Sequence, residues 1–126
     1  MAIFAEKRDR AILITIDRPP LNVLDLALLH EFGEVLSSSA QELEVGVVIM
    51  KGSGERAFSA GVDLKDHTRD KVPEMLEVVH GVMRKLLTLP QVTVALVRGA
   101  CLGGGCELAS CCYFILAAEG SSFATP

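Results

Sequence analysis

Two glycine-containing segments decide how this chain folds: CLGGGCE at residues 101–107 and FSAGVDL at residues 58–64. Each follows an apolar run that is typical of a buried β-strand. The first also opens a predicted helix and carries a lone carboxylate, Glu107. Parallel strands bring the segments at their carboxyl ends to one edge of a sheet. The two segments therefore predict a site at that edge, where backbone N–H groups lie beside an acidic side chain.

The rest of the chain alternates between predicted strands and helices. Strands are predicted at residues 3–8, 11–17, 45–50, 92–97 and 113–117, and helices at 25–39, 73–89 and 104–112. Asp25 is the expected N-cap of the first helix, and Pro73 suits the first turn of the second. The predicted buried faces of these two helices are Leu28, Leu29, Phe32, Val35 and Leu36, and Met75, Leu76, Val79, Met83 and Leu86.

The order of these elements favours an α/β fold, with parallel strands joined by right-handed helical crossovers. Residues 45–50 are continuously apolar, which predicts a strand buried on both faces. The last strand is still being added to the sheet at residue 126, and apolar surface is left to cover. We therefore expect the chain to be the first part of a longer domain.

Composition narrows the classes of function. Half of the 126 residues are apolar and 22% are charged, which suits a globular domain. A formal charge of −4 without a basic cluster argues against a nucleic-acid partner. No run of 18 uncharged apolar residues predicts a membrane span, and the first residues lack the apolar core of a signal peptide.

Four cysteines lie close together in the sequence, at positions 101, 106, 111 and 112. They form no CxxC pair, so their spacing does not fit a zinc site, and we predict no metal site. We interpret them as small buried apolar side chains in a reducing compartment. The predicted localisation is cytoplasmic.

The glycine segments favour stabilisation of an oxyanion. Glycine lets the backbone approach a ligand closely, and the first turn of a helix has unpaired N–H groups. Glu107 follows Gly104 by three positions, and helical side chains lean toward the N-terminus, so its carboxylate is a candidate acid/base. Two alternatives stay open: Glu107 is a solvated acid favoured by the helix dipole, or the glycines only allow close packing. The phosphate-binding patterns GxGxxG and GxxxxGK[ST] are absent.

Three motifs resemble the enoyl-CoA hydratase/isomerase (crotonase) superfamily. They are AFSAGVDL at 57–64, RGACLGGGCELA at 98–109 and DRPPLNVL at 17–24, in the order and at about the spacing of that family. The resemblance covers essentially the whole chain but about the first half of a crotonase domain. It implies a crotonase-like ββα spiral core in which residues 1–126 are the N-terminal portion of a single domain and the C-terminal helical region is absent.

The resemblance also implies roles for individual residues. The N–H groups of Val62 and Gly104 would form an oxyanion hole for an acyl-CoA thioester, and Glu107 matches the first of two catalytic glutamates. The second glutamate would follow Pro126. Contacts with the nucleotide and pantetheine of coenzyme A would come from Asn22, Val23, Ala60, Asp63, Leu64 and Lys65. Coenzyme A then enters as part of the substrate, and no separate cofactor is implied.

The implied reaction is hydration of an α,β-unsaturated CoA thioester. The hole stabilises an enolate while glutamates move water and a proton across the double bond, and a glutamate at position 107 favours a hydratase over an isomerase. Isomerase, hydrolase, decarboxylase and dehalogenase chemistry remain alternatives, as does a non-catalytic acyl-CoA-binding or interaction protein. The family implies a homo-oligomer, a trimer or hexamer, for a full-length protein. The 126-residue chain alone is expected to be nearly inactive.

A narrower resemblance concerns the acyl group. Residues 62–63, 66–67, 75–76 and 80–81, together with 98–105, are similar to cyclohexa-1,5-diene-1-carbonyl-CoA hydratases. It implies a cyclic dienoyl substrate, with His67 in a loop at the rim of the acyl pocket. His80 falls in the middle of a predicted helix. The alternative is that both histidines are exposed or packing residues.

Overall fold

The computed structural model describes residues 2–66 and 68–125, so the predicted pocket residue His67 lies outside the described residues. The strands are β1 (Ile3–Arg8), β2 (Ala11–Ile16), β3 (Val47–Gly52), β4 (Ala57–Ser59), β5 (Val92–Val97), β6 (Ala100–Leu102), β7 (Phe114–Ala117) and β8 (Ser122–Ala124). The helices are α1 (Leu26–Ala40), α2 (Val72–Thr88) and α3 (Gly104–Ser110), with a short 3-10 helix at Leu64–Asp66. Among the described helices, none has the length and apolar character needed to cross a membrane.

A five-stranded sheet in the order β1-β2-β3-β5-β7 organises the molecule. β1 and β2 run antiparallel, and every other neighbouring pair is parallel. Parallel neighbours require a crossover between them, which is why helices alternate with strands along the sequence. The predicted α/β class is confirmed.

The two long helices begin where their sequences predict and bury most of the predicted faces, with Val35 and Met83 only partly buried. Asp25 caps α1 by accepting a hydrogen bond from the Leu28 amide at 2.8 Å, and Pro73 lies in the first turn of α2. Buried helix positions are Leu28, Leu29, Phe32 and Leu36 in α1 and Met75, Val79, Val82 and Leu86 in α2. The prediction was wrong at Leu76, which is 49% exposed, because the buried face of α2 passes through Val82 instead.

The prediction that residues 45–50 form a strand buried on both faces was also wrong. In β3, Val48 and Met50 are buried, whereas Val47 and Ile49 on the opposite face are only partly buried. The same alternation occurs in β2 and β5. The core of the described chain therefore lies on one face of the sheet.

The sequence did not predict a second, three-stranded parallel sheet in the order β4-β6-β8. Each of its strands has only three residues, too few to show a clear two-residue period, which is the main sequence signal for a strand. In chain order, β4 follows β3, β6 follows β5, and β8 follows β7. Both glycine segments begin in this second sheet, FSAGVDL in β4 and CLGGGCE in β6.

Candidate active site

The amides on either side of the Val62 amide donate hydrogen bonds within the protein. Ala60 N donates to Leu21 O at 2.9 Å, and Gly61 N donates to the Ser59 hydroxyl at 3.2 Å. Asp63 N donates to Leu24 O at 2.8 Å. Within residues 2–66 and 68–125, the Val62 amide donates to no protein acceptor. It is therefore a free donor in an otherwise fixed turn.

Leu24 holds the Val62 peptide from both sides. Its own amide donates to Gly61 O at 2.8 Å, and its carbonyl accepts from Asp63, so residues 24 and 62 form an isolated parallel β-bridge. Gly61 has φ +103°, a left-handed conformation that an L side chain rarely adopts. The direction of the Val62 N–H is thus set by the glycine before it and by the strand-like bridge beside it.

The second glycine segment begins α3 at Gly104, with Gly103 as its N-cap. As the first residue of the helix, Gly104 has an amide with no acceptor in the helix itself, and no acceptor is found for it elsewhere in the described chain. Gly105 packs directly on β4, because a Cβ added there would lie 2.5 Å from Ser59 O. The close-packing interpretation of the triplet is therefore correct for Gly105.

The two predicted donors are neighbours in space. A Cβ added to Gly104 would lie 3.9 Å from Val62 N and 3.2 Å from Val62 Cγ2. Reciprocally, a Cβ added to Gly61 would lie 3.6 Å from Gly104 N. Residues separated by about forty positions thus bring their backbone nitrogens close together, and an oxyanion hole formed by the two amides stays a prediction.

Glu107 lies in the first turn of α3, three residues after Gly104, and it is exposed. Its backbone amide donates to Gly103 O at 3.0 Å. Cys111 follows one helical turn later, and its pKa is raised by burial and, secondarily, by the negative charge of Glu107. The Glu107 charge is therefore close enough to act on Cys111, the C-cap of α3.

A cavity of about 570 Å³ opens beside the Val62 segment. Its wall includes Val23, Ala60, Asp63 and Leu64, which are predicted contacts of coenzyme A, and also Val62 itself. Lys65 is exposed next to it, with its Nζ 3.9 Å from both Asp25 Oδ2 and Asp63 Oδ2. The structure therefore brings most of the predicted contact residues to one concave surface, and their contact with coenzyme A stays a prediction.

Asn22 is placed differently from the other predicted contacts. It has φ +52° and is 0% exposed. Its Nδ2 donates to Ala57 O at 2.9 Å and to Ser53 O at 3.2 Å, and its Oδ1 accepts from Arg18 N at 2.9 Å. The side chain ties the loop after β2 to β4, and a contact with coenzyme A at this position remains a prediction.

Sequence reasoning missed two charged residues that fix the Val62 segment. Arg18 donates to Val23 O at 3.0 Å and pairs with Asp63 at 3.0 Å and Asp25 at 3.5 Å. Asp66 is buried, accepts a hydrogen bond from Leu26 N at 3.1 Å and pairs with Lys71 at 3.6 Å. One signal for Arg18 is visible in the sequence, a charged residue directly before two prolines, but its partner Asp63 lies 45 positions away.

Charge and hydrogen bonding keep Asp63 ionised. Its pKa lies below the ordinary value, first because its carboxylate accepts a hydrogen bond from the Lys65 amide at 3.0 Å. Partial burial opposes this shift, and Arg18 adds to it. Asp63 is therefore a carboxylate at neutral pH, and it is available as the partner of Arg18.

The prediction that the cysteines are buried apolar side chains is confirmed for Cys101, whereas Cys106, Cys111 and Cys112 are only partly buried. All four are free, and Cys101 is buried in β6. Burial raises the pKa of Cys101 to about 12 and that of Cys112 to about 11. Both are protonated thiols at neutral pH, which is the unreactive form.

His80, the second histidine of the narrower resemblance, is exposed on α2.

Comparison with known proteins identifies the family of this chain. The family model for enoyl-CoA hydratase/isomerase matches residues 6–126. The chain belongs to this family. The carnitinyl-CoA dehydratase of Escherichia coli strain K12 is 37% identical over 122 residues, which are 94% of this chain and 47% of the dehydratase.

Solved structures of the family match along the whole described fold. The enoyl-CoA hydratase of Bacillus anthracis superposes with a TM-score of 0.93 at 34% identity, covering 98% of this chain and 50% of that one. Human enoyl-CoA hydratase domain-containing protein 3 gives a TM-score of 0.93 at 29% identity, covering 100% of this chain and 51% of that one. The expected crotonase-like α/β core is confirmed, and the chain spans about half the length of the family members it matches.

Proposed function

We propose that this enoyl-CoA hydratase/isomerase family chain contributes the oxyanion hole and one acid/base group of an enzyme that hydrates an α,β-unsaturated acyl-CoA thioester. The observation that carries the proposal is the juxtaposition of two amides without an acceptor in the described chain, Val62 N and Gly104 N, while the amides on either side of Val62, those of Gly61 and Asp63, are both bonded. Two relatives support the reaction type, since one is named a hydratase and the other a dehydratase. Adding and removing water are the two directions of one reaction.

The proposed chemistry follows from where charge develops. The oxygen of a water molecule bonds to C3 of the substrate, and the electrons of the C2–C3 double bond move onto the thioester oxygen. The amides of Val62 and Gly104 stabilise that enolate, and each such donor is worth about 2.7–4 kcal/mol. Glu107 transfers a proton between the water and the substrate, a role worth roughly 10²–10⁴ in rate. Delivery of this proton to C2 completes the hydration, so that one water has been added and no net proton is gained or lost.

Coenzyme A would lie in the cavity beside the Val62 segment as part of the substrate. Support comes from the cavity wall, which combines apolar Val23, Ala60 and Leu64 with the charged pair Arg18 and Asp63. Such a mixture suits a pantetheine arm that carries amide groups. A cyclic dienoyl substrate remains the narrower proposal for the acyl group.

The whole protein's properties belong to the same proposal. Because the chain spans about half of its relatives' lengths, we propose that residues 1–126 are one portion of a single domain and that turnover needs the other half. We also propose a cytoplasmic homo-oligomer, a trimer or hexamer. The exposed apolar side chains on β7 and β8 support the half-domain proposal, because the other half would cover them: Phe114, Ile115, Leu116 and Phe123.

A hydration assay tests the proposal. Crotonyl-CoA and cyclohexa-1,5-diene-1-carbonyl-CoA are offered to the protein that contains this chain, and loss of the double bond is followed by absorbance. We expect turnover that falls by about 10²–10⁴ in Glu107→Gln, because the amide cannot accept a proton. The matched control is Glu77→Gln, an exposed glutamate on α2 that should leave turnover unchanged.

The outcomes separate the alternatives. Hydration that survives Glu107→Gln would reject the acid/base role. Tight binding of the thioester without any conversion would favour a non-catalytic acyl-CoA-binding protein, and movement of the double bond without added water would favour an isomerase. Separately, the isolated 126-residue chain should be nearly inactive.

A further inference from the structure

We propose that Arg18 is a positioning residue, which holds the Val62 peptide in its donor orientation by bridging Asp63 and the Val23 carbonyl, and that it is not a ligand of the phosphates of coenzyme A. This inference rests on the proposed function, because it concerns one donor of the same oxyanion hole. It assigns a role to a side chain that neither the motif pattern nor the acid/base chemistry explains.

The contacts of Arg18 connect the two segments that define the donor. One guanidinium nitrogen, Nη1, lies 3.0 Å from both Val23 O and Asp63 Oδ2. The other, Nη2, lies 3.5 Å from Asp25 Oδ2. Val23 directly precedes Leu24, whose amide and carbonyl flank the Val62 peptide, and Asp63 directly follows it. Arg18 thus closes the outer side of the bridge between residues 24 and 62.

The carboxylate partners of Arg18 are themselves fixed. Asp25 Oδ1 caps α1, and Asp63 Oδ1 accepts from the Lys65 amide, so each acid has one oxygen left for the guanidinium. The side chains of Arg18, Asp25 and Asp63 are only 33%, 19% and 18% exposed, so solvent and salt screen their attraction incompletely. A planar guanidinium presents separate N–H donors in a fixed geometry to its partners, which the point charge of a lysine ammonium does not.

The charge balance around Arg18 argues against a phosphate site. Two carboxylates, Asp25 and Asp63, face one guanidinium, and Lys65 reaches them only at 3.9 Å. An incoming phosphate would have to displace a carboxylate and would meet the second one. The positive charge of Arg18 is therefore used within the protein.

The test uses a probe that reports the oxyanion hole without needing turnover. Acetoacetyl-CoA loses a C2 proton to buffer and forms an enolate, whose near-ultraviolet absorbance rises when its oxygen is stabilised. We expect Arg18→Met to lower the enolate formation constant about tenfold, less than the 10²–10³ expected for outright loss of a donor. Arg18→Lys should fall between Arg18→Met and wild type.

Acetoacetyl-pantetheine, which lacks the nucleotide and its phosphates, separates positioning from phosphate binding. If Arg18 positions Val62, the same loss appears with both probes. A loss confined to acetoacetyl-CoA would overturn the proposal, because it would mark Arg18 as a phosphate ligand. Arg8→Met is the matched control, since Arg8 forms an exposed ion pair with Glu6 at 3.0 Å on β1 and should leave the enolate signal unchanged.

Asp63→Asn tests the same ion pair from the other side and keeps the inference falsifiable if Arg18→Met does not fold. It should also lower enolate formation, and the double variant should lose no more than the worse single one, as expected for residues that act together. A wild-type enolate signal that both variants retain would overturn the inference alone. No enolate signal in the wild type would overturn the proposed function and this inference together.

Discussion

The two peptide groups proposed to hold the thioester oxygen are fixed by different physical means. Val62 is held by hydrogen bonds to Leu24 and by the Arg18–Asp63 ion pair. Gly104 is held by packing, because the next residue, Gly105, lies so close to Ser59 that no Cβ fits between them. One donor depends on a polar network that spans a loop, and the other depends on bare backbone in contact with a strand.

This difference predicts how mutations near each donor affect the stability of the protein and the geometry of the site. Atoms added at a close steric contact force the two packed elements apart at once. A polar network instead weakens by degrees as its charges are removed or protonated. Changes near Gly104 should therefore affect stability and the site together. Changes near Val62 should be separable, with a larger effect on the site than on the fold.

Gly105→Ala should have the largest effect on stability, about 1–3 kcal/mol, because the new methyl group would lie 2.5 Å from Ser59 O and force α3 away from β4. Urea unfolding measures the change. Gly46→Ala is the matched control, since nothing lies within 4 Å of its added Cβ, and it should not destabilise the protein. Equal stability of Gly105→Ala and wild type would show that the helix start is not fixed by this contact.

Gly61→Ala should come next, because an alanine at φ +103° is strained by about 1–3 kcal/mol and would turn the Val62 amide. Gly54→Ala offers a control with a positive φ of +71° and open space around the added Cβ. Both should lower the free energy of unfolding, but only Gly61→Ala should lower enolate formation from acetoacetyl-CoA. A loss of enolate in Gly54→Ala as well would mean that general destabilisation explains the effect.

The smallest expected effect is the pH dependence contributed by Asp63. Its folded pKa lies below the ordinary value of 3.8, so its contribution to stability is present above the unfolded pKa and is lost as pH falls through the folded pKa. Asp63→Asn should be less stable than wild type by about 1 kcal/mol or less at pH 7, and the gap should narrow by pH 3. Thermal unfolding at both pH values measures it, and a constant gap would contradict the prediction.

The main sheet and its helices were predictable because their signals are local. The helical period in α1 and α2 and the apolar runs of β3 and β5 are visible in single windows of sequence. The second sheet was not predictable, since its strands have three residues each and are recognised only by their pairing partners. Which face of the main sheet is covered also depends on where the helices pack, and a continuous apolar run does not reveal it.

The candidate site likewise has parts with a local sequence signal and parts without one. Glu107 and the glycine triplet follow from spacing on one helix, and the motif resemblance points to Val62. The ion pair between Arg18 and Asp63, and the buried brace formed by Asn22, join residues far apart in the chain, so no local pattern reveals them. The parts of the site that need only one element were predictable, and the parts that hold two loops together were not.

The most direct test of the central claim is a crystal structure of the protein that contains this chain with acetoacetyl-CoA bound. We predict that one oxygen of the acyl group lies about 2.7–3.1 Å from both Val62 N and Gly104 N, with the Glu107 carboxylate beside C2 or C3. Binding in which that oxygen contacts neither amide, or in which the acyl group lies away from Glu107, would contradict it.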